Sequence, residues 1–178
     1  MLSYLTERLE RTKNINRFVF FGAIDDRFDW GIIDALKNAG AEIKLIGSAK
    51  SDIPDGYDVM GPFNPEELVL ELEKVDVLII PYIINEFTKG IMPAKIFECM
   101  ATGKPTIVTA LPSYNKYSDV LYICSNKEEV VETFHHLNLT ETPDIVYRRM
   151  DYAREYSLEN NINNIIELVE GVNRNEQS

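Results

Sequence analysis

Short apolar runs alternate with amphipathic stretches along the 178-residue chain. The apolar runs are rich in β-branched and aromatic residues and predict strands at Phe18–Phe21, Ile43–Gly47, Val59–Gly61, Val75–Pro81, Thr106–Thr109 and Leu121–Cys124. Helical spacing and capping residues predict helices at 29–39, 65–74, 93–102, 127–137, 144–156 and 158–172. This alternation predicts an α/β fold, a doubly wound, Rossmann-like parallel sheet with helices on both faces.

The same pattern divides the chain into three parts. Residues 1–16 are expected to form a polar, helix-prone arm, residues 17–156 the Rossmann-like domain, and residues 157–178 a C-terminal helix. Helix-breaking residues follow the predicted strands at Gly22, Gly47, Gly61 and Pro81. Ligands of such sheets bind at the carboxyl ends of the strands, so we expect these residues, together with Gly90, to line a binding edge.

Composition excludes several classes of protein. The net charge of −11 argues against a broad nucleic-acid surface, which needs clustered Lys and Arg. The apolar run Val75–Ile84 is far too short to span a bilayer. The two cysteines, Cys99 and Cys124, fit a reducing cytoplasm better than a disulfide framework. No paired Cys or His motif occurs, so no metal site is expected.

The loop after the first strand is dense in charge. Asp25, Arg27 and Asp29 lie between that strand and the next helix. One interpretation is a solvated loop in which Arg27 pairs with Asp25 or Asp29. The other places Arg27 near a helix N-terminus, where it would bind an anion such as a diphosphate.

A second polar segment, Asn85–Met92, is expected to be a loop that leads into the helix at 93–102. In that helix Ile96, Phe97, Met100 and Ala101 are expected to face the core, with Lys95, Glu98 and Thr102 on another face. In one interpretation the Glu98 carboxylate accepts hydrogen bonds from the hydroxyl groups of a ribose. In the other it forms an ion pair with Lys95 at the surface.

Several motifs in this region resemble one known family. A Pro-x-Lys-x-x-Glu core is followed by an Ala-x-Gly-Lys-Pro turn, here Pro93, Lys95 and Glu98, then Ala101, Gly103, Lys104 and Pro105. Residues 22–30, Gly61–Phe63 with Glu67–Leu68, and Tyr156–Glu159 fit the same pattern in the same order. Over roughly residues 17–170 the chain resembles the donor-binding domain of GT-B retaining glycosyltransferases, in a bacterial polysaccharide-synthesis branch.

The resemblance implies roles for particular residues. Glu98 would bind the ribose of a nucleotide-diphosphate sugar. The diphosphate would meet the residues Gly90, Ile91, Met92, Lys95, Gly22 and Arg27. The nucleotide base would meet Met60, Gly61 and Pro62. The family needs no metal, and the nucleotide-sugar is a substrate, so no cofactor is expected.

The chain also departs from the family pattern. A second Glu of the family falls at Gly90, and its basic pair for the diphosphate falls at Ala23 and Trp30, so Arg27 or Lys95 must replace that pair. The catalytic residues cannot be assigned, because the resemblance covers one half of a GT-B enzyme. The acceptor half would be supplied in cis or in trans, and residues 157–178 would pack on it.

The predicted function is transfer of a hexose to a polysaccharide or lipid-linked glycan. The expected location is the cytoplasm, at the inner-membrane face through the missing half, and the isolated chain is expected to be inactive. The alternative is a non-catalytic subunit that binds a nucleotide-sugar or docks a partner protein.

Overall fold

The computed structural model describes residues 15–92 and 94–156 of the chain. Its strands are β1 (Arg17–Ile24), β2 (Glu42–Ala49), β3 (Val59–Met60), β4 (Val77–Ile80), β5 (Thr106–Thr109) and β6 (Tyr122–Cys124). They form one six-stranded sheet in the order β3-β2-β1-β4-β5-β6, and every pair is parallel. The predicted Rossmann-like, doubly wound sheet is confirmed, and its strand order reverses between β1 and β4.

The helices alternate with these strands. They are α1 (Trp30–Asn38), α2 (Pro65–Glu73), α3 (Glu86–Lys89), α4 (Lys95–Ala101), α5 (Lys127–Thr140) and α6 (Pro143–Glu155). Helix α1 packs against α5, and α4 packs against α6. From the switch point, the crossover through α1 runs toward β2 and the crossover through α4 runs toward β5. Right-handed crossovers therefore place α1 and α4 on opposite faces of the sheet.

Burial of the central strands holds the layers together. All four residues of β4 and all four of β5 are buried, as expected for strands covered on both faces. Phe18, Val19 and Phe20 of β1 are also buried, and the ring of Phe18 meets Phe134 of α5 edge to face. Ile15, which was predicted to belong to the N-terminal arm, packs against this core.

Side-chain caps fix where the helices begin. The Asp29 carboxylate accepts a hydrogen bond from the Ile32 N–H and starts α1, as predicted. Asn64 and Glu67 form a reciprocal capping box ahead of Pro65 at the start of α2. These polar residues take up backbone donors that the first turn of a helix leaves unpaired.

Several local predictions were wrong. The segment Asn85–Met92 is not a continuous loop, because Asn85 and Thr88 cap each other and form α3. A 3₁₀ helix, Pro112–Tyr117, was not predicted. In α4 the buried residues are Ile96, Cys99 and Met100, whereas Ala101 is exposed and Phe97 is half-buried. The short helix thus presents the Ile96, Cys99 and Met100 side chains to the core.

The glycines follow the predicted edge with one adjustment. Gly22 and Gly47 pair with each other inside β1 and β2 rather than after them. Gly61 directly follows β3 with a φ of 96°, and Gly90 ends α3, beyond β4. We call this side of the sheet the carboxyl edge. The first 14 residues of the predicted arm, Pro93, and the predicted C-terminal helix in 157–178 lie outside the described residues.

Candidate functional site

Lys95 lies at the carboxyl edge next to Gly22. It is the first residue of α4, and its ammonium group fills the space in which a Cβ at Gly22 would lie. The Nζ atom is 4.5 Å from the centroid of the Phe21 ring and 5.6 Å from that of Phe20. Burial lowers the pKa of Lys95, although the negative charge of Glu98 acts in the opposite direction. Among the described residues, no carboxylate forms an ion pair with this ammonium.

Glu98 lies one turn further along α4 and is exposed. The surface ion pair with Lys95, which was the alternative role for Glu98, is not formed. Within the described part of the chain the Glu98 carboxylate has no hydrogen-bond or ion-pair partner. Its charge nevertheless acts on Lys95, where it partly opposes the lowering of the pKa by burial. The helix therefore presents a half-buried cation and an unpaired carboxylate at successive turns.

Arg27 has a different environment, because Asp25 holds its guanidinium. The Nε atom of Arg27 lies 2.8 Å from Asp25 Oδ1, and Nη2 lies 2.5 Å from Asp25 Oδ2. The guanidinium also lies 5.3 Å from the centroid of the Tyr82 ring. These hydrogen bonds lower the pKa of Asp25 and raise that of Arg27. An anion that binds Arg27 would have to compete with a bidentate carboxylate.

The backbone between α3 and α4 is partly occupied by its own hydrogen bonds. The N–H of Gly90 donates to the Phe87 carbonyl, and the N–H of Ile91 donates to the Thr88 carbonyl, both at 3.2 Å. The Ile91 carbonyl accepts a hydrogen bond from the Ser113 hydroxyl at 2.9 Å. These contacts fix the segment, and a ligand that used the two N–H groups would have to displace them.

The segment predicted to meet the base lies at the end of β3. The strand order puts β2 between β3 and β1, so Met60–Pro62 are roughly 10 Å from β1 at ordinary strand spacing. Gly47 lies between the ends of β1 and β3. It pairs with Gly22, and its backbone nitrogen lies 3.6 Å from the position of a Cβ built at Gly61. The Met60 side chain is exposed. Gly22, Gly47 and Gly61 thus lie side by side and form a backbone surface that carries no side chains of its own.

Sequence reasoning missed three aromatic residues of this region. Phe20 and Phe21 support the Lys95 ammonium, and Tyr82 lies against Arg27. Each belongs to an apolar run or its end, which predicted only core packing. An aromatic residue at the carboxyl end of a parallel strand was the available signal, because such residues can contact a cation in the binding edge.

Two features are absent from residues 15–92 and 94–156. No helix among them is long and apolar enough to cross a membrane. No group of three or more His, Cys, Asp or Glu side chains in this part of the chain is arranged to hold a metal ion.

The sequence matches no known family profile. Over 56 residues, however, the chain is 39% identical to a Bacillus subtilis (strain 168) protein named "Putative teichuronic acid biosynthesis glycosyltransferase TuaH". The matched segment is 32% of this chain and 14% of the length of that relative. The chain is therefore similar to a short part of a much longer protein, and its parallel α/β sheet fits a Rossmann-like glycosyltransferase domain.

Proposed function

We propose that the chain is the donor-binding domain of a glycosyltransferase and binds a nucleotide-diphosphate sugar at the carboxyl edge. The observation that carries the proposal is the position of Lys95. Its ammonium is half-buried beside Gly22 and has no carboxylate partner among the described residues, while Glu98 stands unpaired one turn away. We call Gly22, Lys95 and Glu98 the nucleotide site.

The diphosphate is the part of the donor that Lys95 would bind. A cation that burial destabilises gains more from an anionic ligand than a solvated surface lysine does. Gly22 lets the Lys95 ammonium lie against the β1 backbone, since it has no side chain and a φ of 131° that other residues rarely adopt. A diphosphate bound to Lys95 would then lie close to the end of β1. Lys95 would thereby replace the basic pair that the resemblance leads us to expect at Ala23 and Trp30.

The ribose is the part that Glu98 would bind. Three residues of α-helix advance about 4.5 Å along the axis, a spacing that suits a ribose next to a diphosphate. A carboxylate with no partner among the described residues can accept hydrogen bonds from both the 2′ and 3′ hydroxyls. The base would then extend over Gly47 toward Met60, Gly61 and Pro62, and the main chain at Gly90, Ile91 and Met92 would complete the diphosphate contacts.

Glycosyl transfer is the reaction that fits this ligand. The similarity to the Bacillus subtilis protein supports a glycosyltransferase-like function in general. We further propose a GT-B, retaining arrangement in which an acceptor half, in cis or in trans, supplies the glycan-binding surface and the catalytic groups. The transferred sugar would be a hexose and the acceptor a polysaccharide or lipid-linked glycan at the cytoplasmic face of the membrane.

A second candidate function is a non-catalytic subunit that binds a nucleotide-sugar or docks a partner. The ion pair between Arg27 and Asp25 favours it, because it removes one of the two available cations from the diphosphate position. The glycosyltransferase domain and a nucleotide-sugar-binding subunit share nucleotide binding and differ in transfer, whereas a partner-docking subunit requires neither.

Calorimetric titration of the full chain with several nucleoside diphosphates and their sugar conjugates tests the shared step. We expect weak, saturable binding that Lys95→Met and Glu98→Gln each reduce, whereas Glu132→Gln on exposed α5 surface has no effect. If no nucleotide binds at millimolar concentration, the glycosyltransferase domain and the nucleotide-sugar-binding subunit are both excluded, and only partner docking is left. Sugar transfer should then appear only when an acceptor half is added, and robust transfer by the purified chain alone would contradict this division.

A further inference from the structure

A shallow, open cavity of about 550 Å³ lies at the carboxyl edge between the loop after β1 and the loop after β2. Its aromatic wall includes Phe28 and Trp30. The Trp30 ring is held in place by Phe28, edge to face at 4.7 Å, and by Tyr57 at 5.1 Å between ring centroids. Trp30 is the first residue of α1, which covers the face of the sheet opposite α4, and none of the residues that line the cavity belongs to the nucleotide site.

The polar wall of the cavity is acidic. Asp26 and Asp52 line it, both are exposed, and neither has an ion-pair partner among the described residues. Asp25 also lines it and is neutralised by Arg27, and Lys50 adds one positive charge. The surplus of carboxylates repels phosphates and uronic acids and can accept hydrogen bonds from neutral hydroxyl groups.

Ser51 gives an independent indication of a polar ligand. It lines the same cavity, and its hydroxyl oxygen is shielded from solvent without a hydrogen-bond partner within the described residues. Shielded hydroxyls of native proteins nearly always have a partner, so rotation of the Ser51 side chain toward the cavity would let its hydroxyl pair with a ligand hydroxyl.

We propose that this cavity binds a neutral hexose unit of a glycan. The apolar C–H face of a pyranose ring packs on an aromatic ring, and its equatorial hydroxyls donate to carboxylates. Trp30 supplies the ring, Asp26 and Asp52 supply the acceptors, and Ser51 supplies a further polar group. A volume of about 550 Å³ suits one or two sugar rings. The inference adds a second, glycan ligand to the proposed function, and it does not depend on nucleotide binding.

Trp30 is the single tryptophan of the chain, so its fluorescence reports on this cavity directly. Titration of the full chain with neutral gluco-oligosaccharides should shift the Trp30 emission saturably. Oligosaccharides of glucuronic acid should bind at least about fivefold more weakly, because their carboxylates carry the same negative charge as the cavity and are repelled by it. Asp26→Asn and Asp52→Asn should each weaken the neutral ligand at least about threefold, while Asp58→Asn on the exposed loop before β3 should not.

The result that would overturn the proposal is an emission that does not respond saturably to neutral saccharides at tens of millimolar. A response to free nucleosides or to Ca²⁺ without a response to saccharides would also overturn it, since the cavity would then bind another ligand. Trp30→Leu removes the fluorophore, so saccharide binding by this variant is measured from backbone amide NMR shifts, which also verify that it is folded. Nucleotide binding, measured by calorimetry in the same samples, succeeds or fails separately because it depends on Lys95 and Glu98.

Discussion

The ammonium group of Lys95 occupies the space that a side chain at Gly22 would fill. A half-buried cation therefore rests on the backbone of β1 at the switch point, supported by two phenylalanine rings. Burial of an ammonium without a carboxylate partner costs free energy in the folded chain. A position that costs stability and lies at the carboxyl edge, where sheets of this type bind ligands, is typical of a functional residue.

Lys95→Met should weaken nucleotide binding and leave the fold intact or slightly more stable. Met keeps the contact with the phenylalanine rings but removes the charge, so affinity should fall about tenfold or more. Stability at pH 7 should rise, because the variant no longer buries a charged ammonium. The rise should not exceed about 1 kcal/mol, since the cation–π contacts of Lys95 are lost at the same time. Calorimetry and urea denaturation measure the two effects.

The pH dependence of the wild type gives a further check on Lys95. Its pKa is lowered in the folded chain, so between that pKa and the ordinary value of about 10.4 the unfolded chain binds more protons. Stability contributed by this group therefore rises with pH in the alkaline window, and Lys95→Met should remove the rise. Lys89→Met, in an exposed ion pair with Glu86, is the control. A destabilised Lys95→Met variant with normal nucleotide affinity would give Lys95 a purely structural role.

Glu98→Gln should reduce nucleotide affinity about tenfold or more, because each charge-assisted hydrogen bond to a ribose hydroxyl is worth about 1.5–3 kcal/mol. Stability should change by only a few tenths of a kcal/mol, since Gln and Glu have similar helix propensity and the side chain is exposed. Comparison of ribo and 2′,3′-dideoxy nucleotides sharpens the test. The wild type should prefer the ribo form, and Glu98→Gln should not. Equal binding of both forms by the wild type would place Glu98 outside the site.

The overall fold could be predicted from the sequence because both faces of its central strands are buried. Strands such as Val77–Ile80 must then be continuously apolar, and the helices between them carry local caps such as Asp29 and Asn64. Two short elements were missed although signals for them exist. Asn85 and Thr88 have the spacing of a capping box, and Tyr114 and Tyr117 have the three-residue spacing of a 3₁₀ helix.

The candidate site could be predicted only in part. The exposed position of Glu98 followed from the apolar stripe of its helix, although Ala101 was wrongly assigned to that stripe. The contact of Lys95 with Gly22 depends on how far α4 extends along the sheet, which no local pattern determines. The pairing of Arg27 with Asp25, rather than Asp29, depends on a turn in which Asp29 is already committed to capping α1.

Arg149→Met should destabilise the chain by about 3–5 kcal/mol. The Arg149 guanidinium is fully buried, donates to the carbonyls of Val120 and Gly103 at 3.0 Å, and pairs with Glu141 at 2.7 Å. Its removal takes the Arg149 donor from the carbonyls of Val120 and Gly103, and it leaves the buried Glu141 carboxylate with the Tyr122 hydroxyl but, within the described residues, no positive charge beside it. Gly103 lies two residues after the end of α4, so this contact also anchors the end of the helix that carries Glu98.

The neighbouring Arg148 provides the matched control for Arg149. It forms ion pairs with Asp119 and Asp144, but its side chain is 43% exposed. Exposed pairs contribute little, so Arg148→Met should cost less than about 1 kcal/mol in urea denaturation. Equal losses for the two variants would show that burial of the Arg149 network is not what stabilises this end of the sheet.

The Arg27–Asp25 pair allows a test of whether Arg27 takes part in diphosphate binding. The hydrogen bonds from Arg27 hold the pKa of Asp25 below its ordinary value, so this carboxylate stabilises the folded chain above about pH 4 and loses that effect as the pH falls through its lowered pKa. Asp25→Asn should therefore flatten the acid limb of stability measured by urea denaturation.

Asp25→Asn should also release the guanidinium to an anion, so nucleoside diphosphate affinity should rise about two- to fivefold if Arg27 belongs to the site, since a competing charge-assisted pair is removed. Asp26→Asn changes the net charge equally, but Asp26 has no ion pair among the described residues, so it measures the general electrostatic contribution. A gain for Asp25→Asn no larger than that for Asp26→Asn, together with normal affinity in Arg27→Gln, would limit the role of Arg27 to holding its loop against Tyr82. The diphosphate would then depend on Lys95 as its cation.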